Sequence, residues 1–125
     1  MIARNALLAV LLTLMMTPWS VIQAKTYDVL EMPAVPSDLA STSLVFSIGK
    51  YFDRYFAVGQ YGHILYSDDA ENWTQAQVPV RSSLLDITFA TPEKGWAVGH
   101  EGVILHSSDG GKTWVKQFDG LRYGQ

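Results

Sequence analysis

The sequence has 125 residues, a formal net charge of −3, 48% hydrophobic residues and no cysteine. Beyond an apolar N-terminal segment, this length allows one small domain. Mild acidity without a basic cluster argues against nucleic acids and anionic lipids as partners. The lack of cysteine excludes disulfides and thiolate chemistry.

The first 24 residues predict a secretory signal peptide. Arg4 supplies a positive charge, and Ala6 to Met16 is a run of Ala, Leu, Val, Thr and Met that is too short to span a bilayer. Ala24 offers a small residue for cleavage, so we expect a periplasmic or secreted chain that begins at Lys25. The alternative is an uncleaved N-terminal membrane anchor that reaches residue 22.

Residues 25–40 predict a strand and a linker. Residues from Thr26 to Leu30 alternate as in a strand. Pro33 and Pro36 then indicate an irregular connection.

Two units of 40 residues follow, 41–80 and 81–120, and residues 121–125 begin a third unit. Each unit predicts four short strands, which in the second unit are 84–89, 95–98, 103–106 and 114–118. The matching strings are Phe56-Ala57-Val58-Gly59 with Trp96-Ala97-Val98-Gly99, Ile64-Leu65 with Ile104-Leu105, and Leu44-Val45-Phe46 with Leu84-Leu85-Asp86.

A turn motif of the form Ser-x-Asp-Gly-Gly-x-Thr-Trp connects the last two strands of the second unit. Its aspartate can accept hydrogen bonds from nearby backbone N–H groups, and its glycines permit positive φ. The motif residues are Ser107, Asp109, Gly110, Gly111, Thr113 and Trp114. The first unit has a version that is shorter by one residue and lacks both glycines, with Ser67, Asp69 and Trp73. We therefore expect Asp109→Ala to destabilise the fold more than Asp69→Ala.

The octet resembles the Asp-box, also called the bacterial neuraminidase (BNR) repeat. The string from Trp96 to His106 resembles the photosystem II stability/assembly factor-like propeller proteins, and the resemblance covers residues 41–120. It implies a β-propeller, which a period of 40 residues with four short strands also favours. It further implies that Asp-boxes shape turns and carry no chemistry. We expect an all-β fold with two blades, an N-terminal strand that closes a further blade, and a chain that is the N-terminal fragment of a longer propeller.

Metal or cofactor binding is not expected. His100, Glu101 and His106 are close in sequence, but a metal site needs several ligands on one face. The first unit has Gln60 and Tyr66 at the corresponding histidine positions. Polar residues at a blade edge are the simpler interpretation.

The aromatic residues predict blade packing. Trp73, Trp96 and Trp114 fall at repeated positions, with Phe56 in place of Trp96. The better candidates for sugar stacking are Tyr51, Tyr55 and Tyr61.

Catalysis is not expected. Sialidases carry Asp-boxes, and the resemblance to them would require an arginine triad; beyond residue 24 the chain has Arg54, Arg81 and Arg122 and no Arg-Ile-Pro motif. Glycoside hydrolysis needs a pair of carboxylates. The candidates Asp53, Asp86 and Glu93 do not form such a pair at corresponding positions.

The sequence thus predicts an exported, non-catalytic scaffold. The resemblance implies that it binds or stabilises protein partners of an envelope or membrane complex. Two alternatives stay open: a carbohydrate-binding lectin built from two-blade chains, and a fragment of an Asp-box glycoside hydrolase. Either self-association or downstream blades are expected to complete the ring.

Export can be tested directly. We expect the protein recovered from a periplasmic fraction to have an intact mass that corresponds to a chain beginning at Lys25. A chain that retains Met1 and sediments with membranes would favour the anchor instead.

Overall fold

The computed structural model describes residues 27–123. Eight strands form two four-stranded antiparallel sheets, each with its strands in sequence order. Blade 1 contains β1 (Val45–Tyr51), β2 (Arg54–Gly59), β3 (Ile64–Ser67) and β4 (Thr74–Gln75). Blade 2 contains β5 (Leu84–Phe89), β6 (Gly95–Gly99), β7 (Ile104–Ser107) and β8 (Val115–Phe118), and a one-turn helix, α1 (Gly120–Tyr123), follows. The prediction of two four-stranded blades is confirmed.

The two blades correspond in a register that differs from the sequence alignment in the first strand. Ile48 pairs with Ala57 in blade 1, and Ile87 pairs with Ala97 in blade 2. Ile48 therefore corresponds to Ile87, and Val45 corresponds to Leu84. The alignment of Leu44-Val45-Phe46 with Leu84-Leu85-Asp86 was wrong by one residue, because the chain from Ile87 to its partner Ala97 is one residue longer than the chain from Ile48 to its partner Ala57.

The core lies between the blades. Alternation along each strand sends one set of side chains of blade 1 toward blade 2. That set includes Phe56, Val58 and Ile64, all almost fully buried. Blade 2 contributes its own buried apolar side chains to the same core: Leu84, Ile87, Phe89, Ala97 and Leu105. Burial of apolar surface is the main favourable contribution to such an interface.

Aromatic rings occupy the centre of this core. Phe56 of blade 1 stacks on Phe89 of blade 2, with 4.4 Å between the ring centroids. Trp114 meets Phe89 edge to face at 5.9 Å. The hydroxyl of Tyr51 donates to the carbonyl of Ile87 over 2.7 Å, so a polar atom at the margin of the core is also satisfied.

The N-terminal segment does not form the strand that the alternation predicted. Thr26 and Lys25 lie outside the described residues, and residues 29–31 form a turn. The carboxylate of Asp28 accepts a hydrogen bond from the N–H of Leu30 and folds the chain back locally. Pro33 and Pro36 cannot donate to a strand ladder. The alternation of residues in this segment was therefore not sufficient to predict a strand.

Residues 29–37, which we call the N-terminal strap, lie across the two blades. On the blade 2 side, the side-chain amine of Lys116 donates to the carbonyl of Leu30 over 3.0 Å and forms an ion pair with Glu31. On the blade 1 side, the amide of Gln75 donates to the carbonyl of Val35 over 2.9 Å. Between these ends, the side chain of Leu30 is buried in the inter-blade core. The strap therefore holds the two sheets together.

The described helices are all short. Within residues 27–123, no helix has the length and apolar character needed to cross a membrane.

We predict that Leu30→Ala destabilises the fold by about 2–5 kcal/mol, the usual cost of removing a leucine side chain from a packed core. Leu30 is 2% exposed, whereas Leu39 is 69% exposed and serves as the matched control. Urea unfolding of both variants provides the measurement. Equal midpoints would show that the strap does not stabilise the pair of blades.

Candidate functional site

The Asp-box of blade 2 is a closed turn after β7. The carboxylate of Asp109 accepts hydrogen bonds from the N–H groups of Lys112 and Thr113 and from the hydroxyls of Thr113 and Ser107. The indole N–H of Trp114 donates to the carbonyl of Gly111 over 2.9 Å. These bonds satisfy backbone groups that the tight turn would otherwise leave unpaired.

The Asp-box of blade 1 forms a turn with the same bonding principle, although it lacks both glycines. The carboxylate of Asp69 accepts four hydrogen bonds, from the N–H groups of Glu71 and Asn72, the amide of Asn72 and the hydroxyl of Ser67. Trp73 closes the turn through its indole N–H, 3.2 Å from the carbonyl of Ala70. Ala70 takes a φ of 63°, close to the 77° of Gly110. The absence of glycine therefore did not prevent the turn.

Both box carboxylates are stabilised in their charged form. Hydrogen bonds from Asn72 lower the pKa of Asp69 most, with further contributions from Glu71 and Ser67. Burial raises the pKa of Asp109, but its bonds to Thr113, Ser107 and Lys112 outweigh this effect and the pKa is lowered. Hydrogen bonds to a carboxylate favour its ionised form.

A cleft lies between the two boxes. Arg54 lies in it and donates from Nε to Asp68 of blade 1 over 2.8 Å and from Nη1 to the carbonyl of Gly110 of blade 2 over 3.1 Å. Asp53 and Glu93 also line this cleft. Because Arg54 contacts both boxes, we interpret it as a connector between blades.

The candidate sialidase groups do not converge. Arg54 is at the Asp-box end of β2, whereas Arg81 lines a recess at the other end, beside Tyr61. The side chain of Arg122 lies outside the described residues. Asp86 is on β5, where it accepts a hydrogen bond from Ser47 of blade 1 over 3.0 Å.

The histidine cluster named from the sequence is dispersed. His100 and Glu101 are in the β6–β7 turn, where the carboxylate of Glu101 accepts a hydrogen bond from Ser82. His106 is on β7 with its Nδ1 atom 3.1 Å from the carbonyl oxygen of Gly95 and its ring against Trp96. Among residues 27–123, no three His, Cys, Asp or Glu side chains lie close enough to hold a metal ion.

The three candidate tyrosines lie in different environments. Tyr51 belongs to the inter-blade core, where it packs near Phe56 and Phe89. Tyr55 has the amine of Lys50 5.1 Å from its ring centroid. Tyr61 is exposed and holds a φ of 59° in the β2–β3 turn.

The exposed Tyr61 lies at a recess of about 390 Å³ at the end of the blades opposite the Asp-boxes. Its apolar lining includes Val35 and Leu39, and its polar lining includes Arg81 and His63. Arg81 donates from Nε to the carbonyl of Pro33 over 2.9 Å. The recess therefore combines an exposed aromatic ring and apolar side chains with a guanidinium group.

His63 is one of the polar side chains that line this recess. It is 7% exposed, and its Nδ1 atom has no hydrogen-bond partner among residues 27–123. Burial lowers the pKa of His63, while a hydrogen bond to the carbonyl of Val35 opposes this effect. The ring is thus favoured in its neutral form, with Nδ1 as an unsatisfied acceptor.

Sequence reasoning did not single out His63. The signal was present in the repeat, because blade 2 has the buried Val103 at the corresponding position. A histidine in place of a core valine introduces a polar atom that needs a partner.

The sheets, their pairing and the box turns define a class of protein, the β-propellers built from Asp-box blades. A family described as "Photosynthesis system II assembly factor YCF48" matches residues 65–122. The chain is 34% identical over 90 residues to the photosystem II assembly lipoprotein Ycf48 of Nostoc sp.. It is 50% identical over 46 residues to the chloroplastic photosystem II stability/assembly factor HCF136 of Guillardia theta. The chain is therefore similar to the photosystem II assembly factor propellers, and the resemblance inferred from its motifs is confirmed.

A solved structure described as "YCF48 bound to D1 peptide" has the same fold. It superposes with a TM-score of 0.54 at 27% identity and covers 65% of this chain. This chain covers 27% of that structure, 26% of the Nostoc protein and 12% of the Guillardia protein. The chain thus spans about a quarter or less of these relatives.

The structure changes our expectation for the two boxes. Since both carboxylates accept four hydrogen bonds, we now predict that Asp69→Ala and Asp109→Ala lower the urea midpoint by similar amounts. Because both pKa values are lowered by folding, this stabilisation is present above the usual value of 3.8 and is lost as the pH falls below it.

Urea unfolding at pH values between about 6 and 2 checks both points. Each variant should show a weaker fall of its midpoint with acid than the parent protein does. Asp53→Ala, which removes an exposed carboxylate in the β1–β2 turn, is the control. If Asp109→Ala lowers the urea midpoint much more than Asp69→Ala does, the expectation drawn from the glycine pattern is supported instead.

Proposed function

We propose that this chain is an exported, non-catalytic propeller scaffold that binds a segment of a membrane-protein partner during assembly. The observation that carries the proposal is its similarity to assembly factors, including a propeller structure with a bound peptide. These relatives are named as assembly factors. The boxes serve a structural role, since their carboxylates are bonded within their own turns.

The recess around Tyr61 is the proposed place of contact with an extended peptide. Tyr61 and Leu39 present exposed apolar surface, which is unusual enough in a cluster to suggest contact with a partner. Arg81 adds a donor for a carbonyl or carboxylate. His63 adds a buried acceptor for a peptide N–H, and its ring centroid lies 6.0 Å from that of Tyr61.

The absence of catalysis is supported by how the charged groups are arranged. Arg54 is held between Asp68 and the backbone of the other box, which leaves it poorly placed to grip a substrate carboxylate. Arg81 is at the opposite end of the blades. A sialidase-like triad would need such side chains to converge on one ligand.

Export after cleavage near Ala24 is the proposed route to the compartment of the partner. The Nostoc relative is named a lipoprotein. The sequence has no cysteine that could carry a thioether-linked or thioester-linked lipid. We therefore propose that this chain uses a cleaved signal in place of a lipid anchor.

Peptides that tile the D1 protein, labelled with a fluorophore, test the proposed binding. Anisotropy titrations with residues 25–125 should show saturable binding of at least one peptide and no binding of its scrambled version. Arg81→Met should weaken binding about tenfold, the effect of losing about 1.4 kcal/mol. Lys94→Met removes an exposed cation from the Asp-box end and should leave binding unchanged.

Each result has a defined meaning. If no D1 peptide binds in preference to its scrambled version, the proposed function is wrong. If a peptide binds but Arg81→Met and Tyr61→Ala have no effect, the scaffold function stands and the recess is the wrong site.

A further inference from the structure

The two blades differ at two positions of the same turn. The strand pairing makes His63 of blade 1 correspond to Val103 of blade 2, and Tyr61 correspond to Glu101. The backbone is alike at the second position, with a φ of 59° at Tyr61 and 56° at Glu101. Blade 1 thus has an ionisable ring where blade 2 has a core valine, and it lacks the carboxylate that blade 2 has two residues earlier.

The ring of His63 is buried with one nitrogen unsatisfied. It is 7% exposed, and its Nδ1 atom has no hydrogen-bond partner within residues 27–123. The nitrogen that faces the carbonyl of Val35 is therefore Nε2. A carbonyl can only accept, so the neutral ring carries its proton on Nε2 and leaves Nδ1 as a lone pair.

The recess around His63 contains no counter-ion for a protonated ring. One wall comes from residues 35–43, which we call the covering segment, and its lining side chains are uncharged: Val35, Ser37, Leu39 and Ser43. The other wall has the titratable side chain Tyr61 and the cation Arg81. Asp38 of the covering segment lines a different recess. In the part of the chain that the structure describes, a charged His63 would thus share its recess with a guanidinium group and with no carboxylate.

The covering segment lies on blade 1 through local contacts. The side-chain amide of Gln75 donates to the carbonyl of Val35 and accepts from the N–H of Ser37, each over 2.9 Å. Ala40 is buried in a small apolar cluster that is separate from the inter-blade core. Val35 and Leu39 are largely exposed. Segments with few buried apolar contacts open at a lower free energy than the core does, so this segment can separate from blade 1 while the two blades stay packed.

We propose that His63 is an acid-sensitive latch: the covering segment closes on the β2–β3 turn when the ring is neutral, and protonation of the ring releases the segment and opens the recess. A buried charge without a counter-ion is unfavourable, and here the ring regains water only when the covering segment moves away. The latch concerns the free chain alone, so it does not depend on the peptide contact proposed above.

The pH range of the latch follows from the direction in which the pKa of His63 changes. Burial lowers this pKa from its usual value of 6.5, and the carbonyl of Val35 opposes the change only in part. The closed state therefore binds fewer protons than an open state in which the ring is exposed. Closure is fully stable above the usual pKa and is weakened as the pH falls below it. The Asp-box carboxylates respond only below 3.8, so the two effects are separated.

Hydrogen exchange with mass spectrometry on residues 25–125, between about pH 7.5 and 5, tests the latch. The readout is the protection factor, the ratio of the intrinsic to the observed exchange rate, which removes the pH dependence of the exchange chemistry itself. For residues 34–43 it should fall by up to about tenfold per pH unit below about pH 6.5. For β5 and β6 of blade 2 it should stay constant.

Three variants separate the latch from other effects of acid. His63→Val introduces the residue of blade 2 and should make the protection of residues 34–43 independent of pH. Tyr61→Glu introduces the carboxylate of blade 2 at a position whose ring centroid lies 6.0 Å from that of His63, and it should weaken the fall by supplying a counter-ion. His100→Gln removes an exposed histidine from the β6–β7 turn and should retain the fall of the parent chain.

Three results would overturn the proposal. The first is a protection factor of residues 34–43 that does not change with pH in the parent chain. The second is an equal loss of protection in β5 and β6, because acid would then unfold the whole chain. The third is a fall that persists unchanged in both His63→Val and Tyr61→Glu. None of these readouts involves a peptide, so a failure of the latch is distinct from a failure of the proposed function.

Discussion

The stack of Phe56 on Phe89 is the contact on which the rest of this structure depends. It joins one blade to the next at 4.4 Å, and Trp114 of the second Asp-box packs against the same ring. Gly111 leaves space for the Phe56 ring, since a Cβ atom at that position would lie 2.4 Å from the ring. The Asp-box of blade 2 is thus both a turn and part of the inter-blade core. This is a physical reason for its second glycine, because the blade 1 turn forms without one.

The two ends of the blades differ in chemical character. At the Asp-box end, Arg54 is bonded to Asp68 and to the backbone of the other box, and Asp109 is bonded to the backbone of its own turn. At the opposite end, the recess holds the Nδ1 atom of His63, which has no hydrogen-bond partner among residues 27–123, and the exposed ring of Tyr61. Satisfied polar groups stabilise a scaffold, whereas a buried polar group without a partner needs an explanation such as a bound ligand. This contrast is why the proposed peptide contact lies at the recess.

Much of the fold was predictable because its signals are local. Repeated strings such as Ala57-Val58-Gly59 and Ala97-Val98-Gly99 specify equivalent strands, and the box motif specifies its turn. The N-terminal strap was not predictable, because the position of Leu30 depends on contacts with Lys116 and the distant core. The first box was expected to contribute less stability because it lacks both glycines. Ala70 nevertheless adopts the positive φ of the turn, which the hydrogen bonds to the carboxylate of Asp69 stabilise. The recess escaped prediction because His63, Arg81 and Val35 come together only in the tertiary structure.

A comparison of Gly110→Ala with Gly111→Ala tests the central claim that the second box is built into the contact between blades. Both positions have positive φ, so each variant should lose about 1–2 kcal/mol from backbone strain. At Gly110 the nearest atoms to an added Cβ are 3.4 Å away, whereas at Gly111 the Phe56 ring is in its place. Urea unfolding should therefore show a further loss of about 1–3 kcal/mol for Gly111→Ala, the usual cost of overpacking. Equal losses for the two variants would contradict the account, because the box would then be a surface turn that does not contribute to the inter-blade core.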